Sequence, residues 1–321
     1  MAQDGRVQNL IAWWVIGLVG LVDVVWFLLS DYEISIFGFS RALLGVVAVG
    51  ALLFFYKAIR HDERIVAALS GVILLIGFSA AAAPLSYLLA GLGFPLWDGA
   101  LRHWDMALGL DWRSYLAWTN DHPTIGLVLT FAYQSLMLQM IIMCVVLGLT
   151  GRRFELSVCT LALVLSGVLC VLISALMPAM AMYVHLGLKP TDFPNLSPNA
   201  AYVHVEHIVA LRGGTYRTFS LNDVQGIVTF PSYHASLAAI FLRGLWSLPW
   251  LRWPGVILNL AVIAATPIDG GHYFVDVGAG IAIAVGCLLI AREPKRLLSL
   301  RSGMQNLPAL LPHRRSRNWA T

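Results

Sequence analysis

Two short polar motifs stand near the end of a chain that is otherwise strongly apolar. Residues 230–234 read FPSYH, residues 270–276 read GGHYFVD, and each motif opens a long apolar run. An ionisable side chain at the start of a membrane span is costly, so it marks a functional site. Two histidines, with an acid one helical turn after the second, indicate a catalytic site that handles phosphate at one membrane face.

The first motif has the composition of a helix N-terminus. Proline is favoured in the first turn of a helix, where its missing N–H has no cost. Behind Pro231, the amides of the first turn and the Ser232 hydroxyl can bind an anion, which the helix dipole also favours. His234 lies in the same turn and is therefore expected beside that anion.

The second motif pairs a histidine with a carboxylate. His272 and Asp276 are four residues apart, so they lie on one face of a helix. A carboxylate in that place can hold one ring nitrogen protonated and leave the other free as a nucleophile. Gly270 and Gly271 would let the backbone approach a substrate closely.

Two other uses of these residues remain open from the motifs alone. His234, His272 and Asp276 could form a metal site, and a histidine in an apolar protein could relay protons in membrane transport. The four cysteines, which lie inside apolar runs, are expected to pack as small apolar side chains.

The composition identifies an integral membrane protein. The 321 residues are 59% hydrophobic and 12% charged, with a mean hydropathy of +0.76. Soluble domains have about 25% charged residues. We therefore expect an all-α fold, a polytopic bundle of membrane helices, because helices satisfy their own backbone hydrogen bonds in lipid.

Eight apolar runs are long enough to be read as spans, and the first is expected to be retained rather than cleaved as a signal peptide. The seventh is short and carries Asn259. The eight runs are 10–30, 40–58, 65–91, 124–149, 155–178, 230–248, 253–268 and 273–291.

Basic residues predict the orientation. With a cytoplasmic N-terminus, 15 of the 21 lysines and arginines lie on the cytoplasmic side, which carries the excess in membrane proteins. Six lie on the other side: Arg41, Arg102, Arg113, Lys189, Arg212 and Arg217. The net charge of +4 therefore needs no nucleic-acid partner, and the basic tail 292–321 is expected to touch anionic lipid in the cytoplasm.

This topology places both motifs at one face. The sixth and eighth spans run in the same direction, so both motifs are expected on the non-cytoplasmic side. Two long segments share that side: the Trp-rich residues 92–123, which suit the membrane interface, and a cap loop over 179–229. The chain thus divides into N-terminal spans (1–91) and a catalytic membrane domain (92–321).

The residues of the two motifs resemble the second and third signature motifs of the type 2 phosphatidic acid phosphatase superfamily. Thr266 and the residues from Gly271 to Asp276 are similar to the corresponding residues in the branch of the inositol phosphorylceramide synthases. The resemblance implies a six-helix core with extra N-terminal spans and a phosphohistidine mechanism without a cofactor. In it, His272 attacks phosphorus, Asp276 orients His272, and His234 protonates the leaving oxygen.

The sequence lacks the cationic residues that usually bind phosphate in that family. The first family motif, Lys-x6-Arg-Pro, is missing, and Thr266 stands where the third motif usually has arginine. A phosphoryl transition state needs positive charge, and Arg212 is our first choice for it, ahead of Arg217, Lys189, Arg102 and Arg113. The predicted phosphate-binding set is Ser232, Tyr233, Arg212, Arg217 and Gly271.

The predicted activity is phosphatase or phosphotransferase action on a membrane lipid that carries phosphate. The expected location is a bacterial inner membrane, with the site facing the periplasm or exterior. Two alternatives are a headgroup phosphotransferase of the inositol phosphorylceramide synthase type and a non-enzymatic transporter of a phosphorylated lipid.

Other polar residues receive structural expectations. Tyr133 and Gln134 are expected to pack or hydrogen-bond between helices, with lining of the cavity as the alternative. Asp269 is expected to cap the eighth span, with a role in the site as the alternative. The cap-loop histidines, which are His185, His204 and His207, show no partner pattern and are expected at the surface.

Overall fold

The apolar runs of the sequence form the helices that dominate the computed structural model, which describes residues 5–293. The N-terminal helices are α1 Arg6–Leu29, α2 Ser40–Ala58 and α3 Glu63–Ala90. Two short helices, α4 Asp98–Ala107 and α5 Trp112–Asp121, follow in the Trp-rich segment. The remaining helices are α6 Pro123–Gln134, α7 Leu136–Leu149, α8 Arg153–Leu176, α9 Met182–His185, α10 Ala200–Val203, α11 Val205–Arg212, α12 Tyr233–Trp246, α13 Arg252–Asp269 and α14 Phe274–Arg292.

Strand structure in the described residues is limited to one short ladder. Strands β1 Glu33–Ile34 and β2 Thr218–Phe219 pair in parallel, with Glu33 opposite Thr218. This ladder joins the connection after α1 to the end of the predicted cap loop.

The all-α polytopic fold is confirmed. Five helical segments of the described chain are long and apolar enough to cross a membrane, namely 6–29, 36–58, 63–90, 153–176 and 274–292. Helices α6 and α7 together make a sixth candidate, but they meet at an angle of 50°. The fourth predicted span is therefore a broken helix, with the break at Ser135, whose hydroxyl bonds the Ala132 carbonyl at 2.6 Å.

Length and composition alone do not identify the sixth and seventh predicted spans, which form helices α12 and α13. Arg243 near the end of α12 and Arg292 at the end of α14 both pair with Glu155 at the start of α8, so α12 and α14 end at the same level of the bundle. Helix α12 has only 14 residues. At 1.5 Å per residue it is about 21 Å long, which is less than the roughly 30 Å of hydrocarbon in a bilayer.

Helix α8 occupies the centre of the bundle. It packs against α1, α3, α12 and α14, and residues 156–164 along it are all buried. Helix α2, by contrast, has no buried residue and packs on the outside of α3. The N-terminal helices therefore form one packed bundle with the helices that carry the two motifs.

A second apolar core joins the two long segments between spans. It contains Leu101 and Trp112 of the Trp-rich segment with Tyr183 and Phe193 of the cap loop. Trp112 is 2% exposed, and its indole N–H donates to the Pro267 carbonyl at 3.2 Å. The contact agrees with the expectation that both segments share one side of the membrane. The predicted basic tail lies outside the described residues, apart from its first two positions.

Candidate active site

The second motif forms the hydrogen-bonded pair that its spacing predicts. The Nδ1 atom of His272 lies 3.3 Å from Oδ2 of Asp276, and the side chains are buried, at 2% and 0% exposure. The same Asp276 oxygen accepts the Tyr273 amide at 2.9 Å. Because Asp276 engages Nδ1, the Nε2 atom of His272 is the nitrogen that can carry a lone pair toward a substrate.

Helices α12 and α14 touch where their N-terminal turns meet. The Ser232 amide donates to the Asp276 carbonyl at 3.0 Å, and the Ser236 hydroxyl donates to the Gly280 carbonyl at 2.7 Å. A Cβ atom on Gly280 would overlap the Ser232 carbonyl oxygen. Glycine at this position is therefore what lets the two helices approach.

This contact brings both histidines into one site. The ring centroids of His234 and His272 are 5.8 Å apart. The Nδ1 atom of His234 is buried and has no hydrogen-bond partner in residues 5–293. The Tyr133 ring lies 4.8 Å from the His234 ring at an interplanar angle of 31°. The contact between the two histidine motifs agrees with the expectation that both motifs reach the same depth.

Two cavities adjoin His234. The smaller, of about 120 Å³, is lined by both histidines of the motifs together with His204, Thr229 and Gly270. The larger, of about 300 Å³, is lined by His234, Gln134, Ser197, Asn199 and Asp269. Tyr133 lines both, so Tyr133 and Gln134 face cavities and do not serve only in helix packing.

Asp269 does not cap the eighth span. It is the last residue of α13, and its Oδ1 atom accepts the Thr130 hydroxyl at 2.6 Å. Its Oδ2 atom is buried without a partner in the described chain. The expectation of a cap was wrong because Asp105 of α4, far away in sequence, takes that role.

Asp105 and Asp98 anchor the second motif, and sequence reasoning missed both. Asp105 accepts the Phe274 amide at 2.9 Å and the Val275 amide at 2.8 Å. Burial raises the pKa of Asp105, while these two backbone bonds oppose the rise. Asp98 accepts the Tyr273 hydroxyl at 2.8 Å. The only sequence signal was the presence of two acids in an apolar, Trp-rich segment.

The other residues of the predicted phosphate-binding set have structural contacts. The Ser232 hydroxyl accepts the Ala235 amide at 3.3 Å and so caps α12. The Tyr233 hydroxyl donates to the Leu163 carbonyl at 3.2 Å, which directs it into the bundle. Gly271 has a φ of +67°, and a Cβ atom on it would lie 2.8 Å from Cβ of Ala201. Gly271 therefore fits the motif beneath the cap loop.

The predicted arginine clamp is not assembled at the histidines. The Arg212 guanidinium donates to the Phe94 carbonyl at 2.8 Å and lines a different cavity, with Ser86 and Pro178. Arg217 lies beside the β ladder, where its carbonyl accepts the Glu33 amide at 2.8 Å. Neither cavity at His234 is lined by a lysine or arginine of the described chain. This placement does not support the role predicted for Arg212.

The geometry of the described residues does not favour the metal alternative. Among residues 5–293, no group of three or more His, Cys, Asp or Glu side chains is arranged to hold a metal ion. The four cysteines are buried as free thiols, which agrees with their expected packing.

The sequence model of the PAP2 superfamily matches residues 99–290. This range covers more than half of the chain and includes α4 after its first residue, both motifs and the cap loop between them. No curated protein and no solved structure matches the chain. With His234, His272 and Asp276 grouped in one buried site, the family match establishes that the chain belongs to the PAP2 superfamily.

Proposed function

We propose that this protein is a membrane enzyme that removes or transfers a phosphoryl group of a lipid through a phosphohistidine at His272. Membership of the PAP2 superfamily supports a phosphatase-type activity on a lipid phosphate. The observation that carries the proposal is the buried His272–Asp276 pair, which lies beside His234 around one small cavity. A nucleophile, its orienting acid and a second histidine are the groups that such a reaction requires.

In the first half-reaction, Nε2 of His272 attacks phosphorus and the bond from phosphorus to the leaving oxygen breaks. His234 gives its proton to that oxygen, so that a neutral alcohol leaves. Asp276 accepts the Nδ1–H bond throughout and stabilises the positive charge that develops on the His272 ring.

In the second half-reaction, an incoming hydroxyl attacks the phosphorus of the phosphohistidine. His234, now neutral, takes the proton of that hydroxyl, and the N–P bond breaks to restore His272. Water as the nucleophile gives inorganic phosphate, whereas an alcohol gives a new phosphate ester.

The start of α12 supplies donors for the phosphate oxygens. The Tyr233 and His234 amides have no acceptor among the described residues, and they precede the first intrahelical bonds of α12. Such amides, together with the helix dipole, favour an anion. Ser232 contributes by holding this turn in place.

Headgroup transfer, as in the inositol phosphorylceramide synthases, is a second candidate, and the larger cavity favours it. That cavity lies beside His234 and is lined by the amides of Gln134 and Asn199 and the hydroxyl of Ser197. Asp269, whose Oδ2 is buried without a partner in the described chain, also lines it. A cavity with these hydrogen-bonding groups suits an alcohol that bears several hydroxyls.

Counted over the eight predicted spans, the 15-to-6 distribution of basic residues supports a site on the non-cytoplasmic side of the membrane. The membrane we propose is a bacterial inner membrane. On that side, the cavity would take its substrate from the outer leaflet at headgroup depth. The cap loop over the cavity would then lie in the periplasm or exterior.

The test is turnover by the purified full-length protein on a panel of lipid phosphates and lipid phosphodiesters. Free phosphate indicates hydrolysis, and a new phosphorylated lipid indicates transfer. His272→Ala should abolish both products. Substrate binding by the wild type without any product across the panel would support the carrier alternative and overturn the enzyme.

A further inference from the structure

A phosphate group in the smaller cavity would meet no lysine or arginine there. Bringing a phosphate anion out of water into a buried site is unfavourable without compensating positive charge. The cavity does contain a third histidine, His204, from the segment between α10 and α11. The inference below rests on the proposed function, because it concerns how the same site accommodates phosphate.

His204 is buried, although sequence reasoning placed it at the surface. Its side chain is 3% exposed, and both ring nitrogens face backbone carbonyl oxygens. Nδ1 lies 3.0 Å from the Ala200 carbonyl oxygen, and Nε2 lies 2.9 Å from the Met180 carbonyl oxygen.

These two contacts constrain how the ring can be hydrogen-bonded. A carbonyl oxygen only accepts, and a neutral imidazole has only one N–H to donate. In a neutral ring, the second nitrogen would turn its lone pair toward a carbonyl oxygen, which is repulsive. Both contacts are hydrogen bonds only when the ring carries two protons and a positive charge.

A buried carboxylate lies on the far side of the peptide group that His204 contacts. The Met180 carbonyl accepts from His204, and the amide of the same peptide group, that of Ala181, donates to Asp98 at 3.3 Å. Asp98 also accepts the Met180 amide at 3.0 Å and is 5% exposed. The carboxylate polarises the peptide and makes its carbonyl a better acceptor for a charged ring.

We infer that His204 is a cationic histidine that provides the positive charge for phosphate in the cavity of His234 and His272. The other titratable groups at this cavity are His234, His272 and Tyr133, none of which carries a fixed charge. Both N–H groups of His204 are engaged by the backbone, so it acts on the anion through its charge. His234 and His272 thereby remain available for proton transfer and attack.

The test measures binding of inorganic phosphate to the purified full-length protein by ³¹P NMR titration. His204→Gln removes the charge and keeps a hydrogen-bonding side chain, and it should weaken phosphate binding by about tenfold or more. His204→Lys and His204→Arg keep a charge, and at least one of them should bind within about threefold of the wild type. His103→Gln makes the same change at an exposed histidine of α4 and should bind phosphate like the wild type.

These variants distinguish the effect of the charge of residue 204 on phosphate binding from the effect of its side-chain shape. Wild-type phosphate affinity in a folded His204→Gln variant would overturn the inference, and so would an equal loss in the neutral and both cationic variants. If His204→Gln does not fold, ¹⁵N NMR of histidine-labelled His234→Ala decides, because this variant lacks the other buried histidine that the mechanism protonates. One buried histidine with both ring nitrogens protonated at the assay pH supports the inference, and its absence contradicts it.

The same proteins distinguish this inference from the proposed function. Turnover that survives His272→Ala would remove the proposed mechanism, while the phosphate titrations would still report on His204. Loss of turnover in His272→Ala, with phosphate affinity unchanged in His204→Gln, would remove only the role of His204.

Discussion

Three histidines meet at one cavity, and their surroundings give each a different chemistry. His272 has a carboxylate on Nδ1, and His204 has a carbonyl on each nitrogen. His234 lies beside the Tyr133 ring, and its Nδ1 has no partner in the described part of the chain. A histidine without a fixed partner can gain and lose a proton within the catalytic cycle. The contacts thus favour His272 as nucleophile, His234 as acid and base, and His204 as fixed charge.

His234→Ala should affect substrates according to their leaving group. An alkoxide needs a proton to leave, so we expect turnover of a lipid phosphate to fall by about a hundredfold or more. Nitrophenolate leaves without a proton, so the first half-reaction with nitrophenyl phosphate should fall much less. The measurement is the burst of nitrophenol against the turnover of lipid phosphate. Equal losses on the two substrates would contradict an acid role for His234.

Asp276→Asn should preserve the fold and slow the chemistry. The amide can still accept the Tyr273 N–H, but it cannot stabilise a charged His272 ring, and it can impose the wrong tautomer. We expect kcat to fall by about a hundredfold or more, with the thermal midpoint within a few degrees of the wild type. Asp121→Asn, an exposed substitution on α5, is the matched control. A kcat within twofold of the control would remove Asp276 from the mechanism.

At the scale of elements, the site depends on how closely α12 and α14 approach. Gly280→Ala places a Cβ atom against the Ser232 carbonyl, so the helices must separate and the two histidines must move apart. Gly278→Ala, two residues earlier on α14, meets no atom within 4 Å. Alanine is about 1 kcal/mol better than glycine inside a helix, so Gly278→Ala should be neutral or stabilising.

The experiment measures the thermal midpoint and turnover of these two variants and compares them. We expect Gly280→Ala to lower both the thermal midpoint and turnover, and Gly278→Ala to keep both at or above the wild-type values. Equal behaviour of the two variants would mean that the contact of α12 with α14 does not position the site.

The sequence predicted the helices better than their ends and bends. Apolar runs specified where α1, α3, α8 and α14 lie, because hydrophobicity over a full span is a strong local signal. The break between α6 and α7 at Ser135 was missed, because both halves are equally apolar. The capping of α14 by Asp105 was missed because the partners are about 170 residues apart.

The residues of the candidate site were also predicted only in part. The proximity of His234, His272 and Asp276 was predicted because their spacing and order in the sequence carry that signal. His204 and Asp98 were not found, because their roles depend on contacts with the Met180–Ala181 peptide that leave no pattern in sequence. The choice of Arg212 followed charge and position in the chain alone, and its contact with the Phe94 carbonyl could not be foreseen.

Across the whole molecule, the packing of the segments and the basic residues predict which side of the membrane each segment faces. The contact of the Trp-rich segment with the cap loop supports one shared side, and the basic residues indicate that this side is not cytoplasmic. Single cysteines at Asp121 and Thr191 should react with a membrane-impermeant maleimide on intact cells or spheroplasts. Cysteines at Arg60 and Ser302 should react only after permeabilisation.

The four native cysteines are buried, so they give a low background in that experiment. Labelling at Arg60 and Ser302 on intact cells, with protection at Asp121 and Thr191, would show the opposite orientation and place the site in the cytoplasm.

Trapping the phosphoenzyme shows whether phosphate passes through His272 during turnover. The wild type and His234→Ala are mixed with nitrophenyl phosphate, quenched in base to preserve phosphohistidine, digested and mapped by mass spectrometry. We predict a phosphoryl group on His272 in both proteins, with more in His234→Ala because its second half-reaction lacks a base. Turnover by the wild type with no phosphorylated His272, or with the phosphoryl group on another residue, would show that His272 is not the nucleophile.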